Sequence, residues 1–493
     1  MNQIGFKNFR KFEVLRPLEL SPVTIFVGEN NAGKSTVVKA LLSVLEFIQT
    51  RVSSLEDNSW MNLNFYFNKS YFTHIGTYTR ARYNKAEEGS PVSFIISVGE
   101  RIYEIDVEQS DSDADVFGRV SRFMITLVPY NIDITYSLRA DHTMTIVFHA
   151  HPHPQFDTGD FVVSPQMMRS PENYFKGLKS DIEVETTLLP NYRFSSEYIA
   201  DALLGSFKGR IKATISNLLS KSKMVDEDGI FGLSDETKEF LLLKRAYFQS
   251  KRFLSRLQEE VNIEYIYAHA VTQTIIFSAK DTNDYHVKTI HEFANLQTGP
   301  LSPARDFILK WMQAFRIGQD YEIASVGGEA HLVKIQNADG QWVNLADKGM
   351  GSIQLMILLF RVATKMSEAG IGFGKKTVNS LLVIEEPEQN LHPMLQSKLA
   401  DLFYELNREY GFRFIIETHS EYLIRKSQVI VGEANKSNEP FNNPFKVYYF
   451  PSEGEPYDLP YAKSGRFEEQ FGTGFFDEAS KWNREILRNE NAR

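Results

Sequence analysis

The residues with the clearest chemical meaning form one stretch, from Gly28 to Thr36. Two glycines, Gly28 and Gly33, bound a short loop that Lys34 and Ser35 close, which gives the unbroken spacing G-x-x-x-x-G-K-[ST]. In such a loop, backbone N–H groups wrap a polyphosphate at a helix start, the lysine reaches the β- and γ-phosphates, and the serine hydroxyl binds Mg²⁺. The candidate nucleotide-binding residues are Glu29, Asn30, Asn31, Ala32, Gly33, Lys34, Ser35 and Thr36.

Two glutamates and a histidine follow apolar runs later in the chain. Glu385 and Glu386 come directly after residues 380–384, and His419 comes shortly after residues 412–416. Continuous apolar runs are typical of buried parallel strands, and open α/β sheets bind ligands at the carboxyl ends of their strands. We therefore expect Glu385 to hold Mg²⁺ through water, Glu386 to orient or deprotonate an attacking water, and His419 to contact the γ-phosphate. The alternatives are a surface acidic cluster and a structural histidine.

A further candidate anion-binding segment lies at residues 347–354. It contains Lys348, Gly349, Gly351 and Ser352, and the apolar run after it predicts a helix. The backbone N–H groups at a helix start attract anions. The pattern G-x-G-S is weak evidence by itself, and it gains weight from the carboxylate-bearing strand that follows.

The elements that must position these residues include both strands and helices. A β-branched run at 23–27 precedes the phosphate loop and an apolar-periodic segment follows it, which predicts strand, loop and helix. Residues 4–20 predict a β-hairpin, and the strand-like runs between 65 and 163 predict an antiparallel meander. Residues 191–262 have helical periodicity and predict a helical hairpin, inserted before the second half of the site.

Three other clusters each have two possible interpretations. Arg10 and Lys11 form either a solvated hairpin turn or a contact with nucleotide or DNA. Three alternating histidines between residues 149 and 153, interleaved with prolines, lie either on an edge strand or loop or in a zinc-type site. A basic stripe in the helical insertion is either a solvated face or a surface for nucleic acid or an acidic partner. It comprises Lys244, Arg245, Lys251, Arg252 and Arg256.

Composition narrows the class of protein. The 493 residues, 42% of them hydrophobic, are enough for a large core and for two to four domains or one domain with insertions. The absence of cysteine removes disulfides and thiolate metal sites and suits the cytoplasm. We find no signal-like start and no apolar run long enough for a bilayer, so we expect a cytoplasmic protein with no membrane partner. The net charge of −9 lacks the basic footprint of a nucleic-acid coat.

Together these motifs resemble the ATP-binding-cassette ATPases of the SMC, RecF and OLD branch. GENNAGKST at 28–36 matches their phosphate loop, DKGMGSIQ at 347–354 their signature motif, IEEPEQNLHP at 384–393 their Walker B strand and D-loop, and ETHSEYLI at 417–424 their switch histidine. More closely, the tail QFGTGFFDE and the segment ETHSEYLIRKSQ are similar to OLD-like "AAA" ATPases of bacterial phage-defence operons. The resemblance implies the α/β class: a P-loop ABC-type ATPase head, with a mixed central sheet and an antiparallel β-subdomain, plus an inserted α-helical hairpin or arm.

The resemblance also implies domains, cofactors and an assembly. The expected domains are 1–190 and 263–460 for the two parts of the head, 191–262 for the helical insertion and 461–493 for the tail. The expected cofactors are ATP and Mg²⁺. Such heads form a head-to-tail homodimer or higher oligomer, in which Lys34 and Ser35 of one protomer share ATP with the signature residues of the other. No glutamine clearly supplies the family's Q-loop, and residues 73–78 are the candidate for its place.

Three functions are compatible with the resemblance. The first is a nucleotide-driven switch in phage defence that hydrolyses ATP, with slow turnover possible, and controls a separately encoded nuclease effector. The 74 residues after His419 are too few for the metal-dependent nuclease domain of OLD proteins, so we expect no DNA cleavage by this chain. The second is a RecF-like repair or maintenance ATPase that binds DNA. The third is a scaffold that binds ATP without hydrolysing it.

Overall fold

The computed structural model describes the chain in separate stretches. They are residues 2–48, 64–67, 75–99, 101–110, 117–127, 132–138, 144–150, 182–188, 262–267, 276–278, 284–296, 302–327, 330–372, 377–436, 440–472 and 476–491. The chain divides into two compact units, Met1–Glu19 with Thr36–Glu260, and Leu20–Ser35 with Val261–Arg493. The phosphate-loop segment thus belongs to the same unit as the C-terminal half. Apart from Asn262, the predicted helical insertion lies outside the described residues, and so does its basic stripe.

The first unit is built on a nine-stranded antiparallel sheet. Its strands are β1 (Gln3–Phe9), β2 (Phe12–Glu19), β4 (Asn64–Tyr66), β5 (Val92–Val98), β6 (Arg101–Gln109), β7 (Phe117–Leu127), β8 (Ile132–Leu138), β9 (Met144–Ala150) and β10 (Ile182–Leu188). Their order is β10-β9-β8-β7-β6-β5-β1-β2, with β4 paired to β7. The unit also contains α2 (Tyr78–Ala81) and all but the first two residues of α1 (Lys34–Phe47). The predicted hairpin is confirmed, and so is the predicted meander as far as the described residues extend.

Aromatic side chains form much of the core of this unit. The ring centroids of Phe9 and Phe94 lie 5.2 Å apart, and Phe65 stacks on Phe94 at 5.2 Å. Phe47, in the last turn of α1, stacks on Phe65 at 5.5 Å. All four residues are buried. Offset and edge contacts of this kind stabilise a core beyond the area they bury.

The two basic residues of the first hairpin turn, Arg10 and Lys11, differ in burial. Arg10 has a φ of +53°, and its backbone N–H donates to the carbonyl of Ala81 at 2.6 Å. Burial and the charge of Arg80 lower the pKa of Arg10, whereas Lys11 is exposed. The solvated-turn interpretation therefore suits Lys11, while Arg10 is partly buried within the first unit.

The alternating histidines fall at the limit of the described residues. The backbone of His149 lies on β9, where it pairs with Asp133 on β8 and Glu183 on β10. Because β9 has a neighbour on both sides, the edge-strand interpretation is wrong for His149. The side chain of His149 and all of residues 151 and 153 lie outside what the structure describes. Among the described residues, no group of three or more His, Cys, Asp or Glu side chains is arranged to hold a metal ion.

The second unit contains a six-stranded and a four-stranded sheet. The larger has the order β11 (Asn262–Ile266), β16 (Ser380–Glu385), β17 (Arg413–Glu417), β3 (Val23–Gly28), β18 (Phe445–Phe450) and β19 (Tyr457–Asp458). Its neighbours pair in parallel except β18 with β19. The smaller has the order β12 (Phe277–Ser278), β14 (Ala330–Gln336), β13 (Asp320–Val326), with β15 (Trp342–Asn344) on β14. The helices are α3 (Tyr285–Asn295), α4 (Pro303–Ala314), α5 (Met350–Glu368), α6 (Pro393–Tyr410), α7 (Glu421–Ala434) and α8 (Glu478–Asn491).

The central parallel strands are mostly apolar because they lie within the core of this unit. All six residues of β3 are buried, and the first five of β16 are buried as well. Helix α5 contributes Met356 and Phe360 to the same core, and α6 contributes Phe403. The predicted α/β class with a mixed central sheet is confirmed. None of the helices that the structure describes is both long and apolar enough to cross a bilayer.

The register of these strands brings the predicted strand ends to one edge. Glu385 on β16 is the Cα partner of Glu417 on β17, which is in turn the partner of Phe26 on β3. On the other side of β3, Gly28 is the partner of Phe450. The carboxyl ends of four neighbouring strands therefore meet beside the phosphate loop.

Candidate functional site

The phosphate loop joins β3 to α1 and depends on a glycine at its first position. Gly28 has a φ of +142°, and a Cβ there would lie 2.1 Å from the carbonyl oxygen of Phe450. The next residue, Glu29, donates its backbone N–H to the same oxygen at 3.1 Å. Within the loop, Asn31 and Gly33 also have positive φ, at +60° and +107°. Close packing on β18 and left-handed backbone thus explain the glycine spacing.

The remaining loop residues differ in exposure. Asn30 and Asn31 are exposed, and Ala32 is buried with its N–H donating to the carbonyl of Glu29 at 3.3 Å. The carboxylate of Glu29 accepts a hydrogen bond from the backbone of Ser452 at 3.3 Å. Thr36, the first residue of this stretch that belongs to the other unit, is buried.

Lys34 begins α1 and directs its ammonium group to the loop. The residue is buried, and Nζ donates to the carbonyl oxygens of Gly28 at 3.1 Å and Glu29 at 2.9 Å. These bonds hold a positive charge at the mouth of the loop. An ammonium in this place can form charge-assisted hydrogen bonds to phosphate oxygens.

Ser35 is bonded to a carboxylate that sequence reasoning missed. Its Oγ donates to Oε1 of Glu417 at 2.9 Å. Glu417 is only 6% exposed, and its Oε2 is buried without a hydrogen-bond partner among the described residues. Burial and the nearby charge of Glu385 raise the pKa of Glu417 to about 7, although the bond from Ser35 and the charge of Lys34 lower it. The available signal was its position directly after the mostly apolar run 412–416, the same kind of position that predicted a role for Glu385.

Glu385 lies on the strand beyond Glu417 and has a tyrosine partner. The hydroxyl of Tyr265, on β11, hydrogen-bonds the Glu385 carboxylate, and burial followed by that carboxylate raises the pKa of Tyr265. Ser35, Glu385 and Glu417 together provide hydroxyl and carboxylate oxygens, which are the donors that Mg²⁺ prefers. The buried Oε2 of Glu417, which no described donor satisfies, is a further reason why these residues fit a divalent cation.

Glu386 has an unusual backbone and several partners. Its φ of +45° is left-handed, a conformation that costs on the order of 1–3 kcal/mol for a residue with a side chain. Its N–H donates to the carbonyl of Glu417 at 2.7 Å, and its own carbonyl accepts from Gln354 on α5 at 3.3 Å. The amide of Gln389 donates to its carboxylate. These contacts place the carboxylate just beyond the end of β16.

His419 completes the group. The residue is exposed, its backbone N–H donates to Oε1 of Glu388 at 2.7 Å, and the following Ser420 caps α7 by accepting from the N–H of Leu423 at 3.2 Å. Partial desolvation and the charge of Lys34 lower the pKa of His419, while the charge of Glu386 raises it. Glu417, two residues before His419, bonds both Ser35 and the backbone of Glu386, so the segments that carry Lys34, Glu386 and His419 meet at the end of β17. Glu388 is a second residue that the sequence did not predict.

The signature segment contacts the loop after β16. A Cβ on Gly351 would lie 2.5 Å from the carbonyl oxygen of Asn390, so this position also favours glycine. Lys348 donates to the side chain of Asn337, and the N–H of Ser352 donates to the carbonyl of Gly349 at 2.8 Å. These contacts do not include the phosphate loop. The signature segment therefore packs against the loop that carries Glu386, and these contacts do not reach Lys34 or Ser35.

The candidate Q-loop segment is only partly described. Residues 73 and 74 lie outside the described ranges, while Thr77 caps α2 by accepting from the N–H of Arg80 at 3.2 Å. Tyr78 is buried and donates its hydroxyl to the carbonyl of Val107 at 3.3 Å. The described part of this segment thus has structural roles within the first unit.

The parallel sheet, the glycine-bounded loop and the polar residues at neighbouring strand ends define the class of phosphate-loop α/β proteins. A family model described as "AAA ATPase domain" matches residues 1–424, and the chain belongs to this family. No curated protein sequence matches the chain.

Three solved structures with similarity to the chain are heads of SMC proteins. The Smc head domain with an extended coiled coil bound to the C-terminal domain of ScpA, from Pyrococcus furiosus, is 12% identical over 99% of each chain, with a TM-score of 0.37. The SmcHead bound to the C-winged helix domain of ScpA is 11% identical over 93% of this chain and 97% of that one, with a TM-score of 0.35. The SMC head domain from Thermotoga maritima is 10% identical over 94% and 98%, with a TM-score of 0.30.

Proposed function

We propose that the chain binds ATP with Mg²⁺ and hydrolyses it at the edge where β16, β17 and β3 end. The observation that supports this proposal is the pair of hydrogen bonds to Glu417, which accepts from Ser35 Oγ at its carboxylate at 2.9 Å and from the backbone N–H of Glu386 at its carbonyl at 2.7 Å. The loop backbone and Lys34 bind the phosphates, and Ser35 and Glu385 hold the cation. Mg²⁺, when bound, supplies positive charge to the β- and γ-phosphate oxygens.

Glu386 and His419 are the proposed catalytic residues. Glu386 is held by Gln389 and by its backbone bond to Glu417, which fixes a carboxylate to orient or deprotonate water. The lowered pKa of His419 keeps its imidazole neutral near pH 7, so that it can donate one hydrogen bond to the γ-phosphate without a second positive charge beside Lys34.

We propose further that two copies share each nucleotide, with the signature segment of one facing the phosphate loop of the other. Helix α5 supports this assembly because its N-cap, Gly349, is exposed and, as a glycine, has no side chain that could occupy the first N–H groups. A Cβ on Gly349 would meet nothing within 4 Å. The first N–H groups of such a helix are suited to bind an anion from a partner.

The proposed biological role is a nucleotide-driven switch in prokaryotic phage defence that controls a separately encoded nuclease effector. Its support is the sequence resemblance of the ETHSEYLIRKSQ segment and the QFGTGFFDE tail to OLD-like ATPases. Co-purification of a nuclease encoded in the same operon, present with ATP and lost with Lys34→Ala, is the expected result. Binding of the purified chain to DNA with no such partner would favour the RecF-like role.

The ATPase proposal is tested by ATP binding and phosphate release from the full chain. We expect Lys34→Ala to abolish binding and Glu386→Gln to bind ATP but release no phosphate. Lys436→Ala, which removes an exposed lysine in the turn after α7, is the matched control and keeps both properties. Unchanged affinity of Lys34→Ala for ATP would overturn the proposed nucleotide site. Equal phosphate release from wild type and Glu386→Gln would favour the scaffold that binds ATP without hydrolysing it.

Mixing two inactive variants tests the shared site. Lys34→Ala removes the loop lysine, and Ser352→Arg blocks the signature segment. In a symmetric dimer, half of a one-to-one mixture is heterodimer with one intact site, so about a quarter of wild-type activity should return. No recovery in mixtures that form heterodimers would show that each site lies within one protomer.

A further inference from the structure

The bond between Ser35 and Glu417 gives the serine hydroxyl a defined direction. A hydroxyl has one proton to donate and two lone pairs to accept or to bind metal. Because the proton is donated to Oε1 of Glu417 at 2.9 Å, the lone pairs remain for another ligand. The bond to Glu417 therefore fixes the direction in which the lone pairs of Ser35 Oγ point.

The strand order places Glu417 closer to the phosphate loop than Glu385, the carboxylate that the sequence predicted to hold Mg²⁺. β17 lies directly beside β3, whereas β16 lies one strand further away. Neighbouring strands are about 4.8 Å apart, so Glu385 is displaced by roughly that distance. Glu385 is also engaged from its other side by the Tyr265 hydroxyl on β11.

The second oxygen of Glu417 provides an independent observation. Glu417 is 94% buried by area, since 6% of its surface is exposed, and Oε2 has no hydrogen-bond partner among the described residues. A buried carboxylate oxygen without a donor is costly in free energy. A hydrated divalent cation beside Ser35 would satisfy it, and oxygen ligands suit Mg²⁺.

We propose that Glu417 is a positioning residue for the cation of the proposed ATP site: Oε1 orients the Ser35 hydroxyl, and Oε2 faces the hydrated cation. This inference rests on the proposed function. It assigns a role to the glutamate of the ETHS segment, so that two carboxylates on adjacent strands, Glu385 and Glu417, serve one cation. Outer contacts of this kind typically contribute about 10- to 100-fold to metal affinity.

The test separates the metal from the nucleotide. Affinity for a fluorescent ATP analogue is measured with saturating Mg²⁺ and with a chelator, and the ratio of the two affinities gives the coupling to the metal. We expect Glu417→Gln to reduce that ratio at least about tenfold while the affinity in chelator stays the same. Glu433→Gln, an exposed glutamate on α7, is the matched control and should keep the wild-type ratio.

Two further variants distinguish positioning from a general structural effect. Ser35→Ala should reduce the ratio at least as much as Glu417→Gln, because it removes the hydroxyl that holds the cation, and the double variant should lose less than the sum of the two, because Oε1 of Glu417 acts through Ser35. Glu417→Asp keeps the charge and replaces Glu417→Gln in the test if that variant does not fold. We expect its affinity ratio to lie between those of wild type and Ser35→Ala. The Mn²⁺ electron paramagnetic resonance signal with ATP provides a direct readout of metal binding in each variant.

Each outcome has a separate meaning. A wild-type ratio in Glu417→Gln, or in Glu417→Asp where that variant replaces it, overturns this inference and leaves the ATP proposal intact. Additive losses in the double variant would also overturn it. Wild-type protein that binds no ATP under either condition would overturn the proposed function and this inference with it.

Discussion

Glu385 and Glu417 are register partners at the ends of two adjacent parallel strands, so two carboxylates lie side by side at the edge that holds the phosphate loop. Their proximity is visible in the electrostatics, because the charge of Glu385 adds to burial in raising the pKa of Glu417. Like charges so placed repel unless a cation or a proton lies between them. We therefore expect the pair to respond to pH and to cations.

The first prediction concerns pH and the stability of the metal-free protein. The pKa of Glu417 is raised from 4.5 to about 7, so the folded state keeps a proton that the unfolded state loses as pH rises through this range. Since the folded state binds more protons, the free energy of unfolding should fall from about pH 4.5 to pH 7. Glu417→Gln cannot ionise and should raise the melting temperature relative to wild type at pH 8 but leave it nearly unchanged at pH 5.

Melting curves in chelator at both pH values provide the measurement, and Glu433→Gln controls for loss of an exposed carboxylate on α7. About 1.4 kcal/mol per pKa unit sets the upper scale of the effect. A melting temperature of Glu417→Gln that is lower than wild type at pH 8 would contradict the prediction.

The second prediction concerns the support of Glu386. Gln389 donates to the Glu386 carboxylate, and its removal should leave that carboxylate less well oriented. We expect Gln389→Leu to reduce phosphate release on the order of tenfold with ATP affinity unchanged, since small misplacements of a catalytic group are costly. Gln341→Leu, an exposed glutamine next to β15, should have wild-type kinetics. Equal rates for both variants would show that Gln389 does not position the carboxylate.

The third prediction concerns the first glycine of the phosphate loop. Gly28→Ala introduces a Cβ at positive φ, 2.1 Å from the backbone oxygen of Phe450, and that strand cannot move away cheaply. We expect a loss of at least about 2 kcal/mol in the free energy of unfolding, together with loss of ATP binding. The control is Gly89→Ala, where φ is +77° and nothing lies within 4 Å, so only the backbone cost of about 1 kcal/mol applies. Urea unfolding curves measure both, and equal losses would contradict the packing argument.

The fourth prediction concerns a buried ion cluster that joins three elements of the second unit. Arg361 on α5 bonds Glu264 on β11, with Nε to Oε2 at 2.8 Å, and also bonds Glu292 on α3. Because the arginine is only 4% exposed, Arg361→Leu leaves Glu264, whose side chain is 12% exposed, with Lys365 as its remaining cation. We expect a loss of about 3 kcal/mol in the free energy of unfolding.

The matched control for Arg361 is an exposed arginine in an ion pair. Arg425 pairs with Glu421 at 3.1 Å on the surface of α7. Arg425→Leu should cost less than about 1 kcal/mol, since exposed pairs contribute little. The two values come from the same urea unfolding experiment. A similar cost for the two substitutions would mean that burial does not decide the strength of the Arg361 cluster.

Local patterns were sufficient to predict the parts of the site that are contiguous in the chain. The phosphate loop at 28–36 is one such part, because its glycine spacing, its lysine and its serine act through the backbone of a single turn. The strands before Glu385 and His419 were also predictable, since a strand covered on both faces must be apolar throughout. From these, the sequence by itself determined that an α/β unit with a phosphate-loop motif and carboxylates at strand ends was present.

Only the tertiary structure decided which carboxylate meets Ser35. Glu417 lies 382 residues along the chain from Ser35, and the two meet because β17, rather than β16, pairs with β3. Strand order and register depend on packing across the whole sheet, which no local pattern contains. The same holds for position 351, which requires glycine because the carbonyl of Asn390, on a loop later in the chain, packs against it.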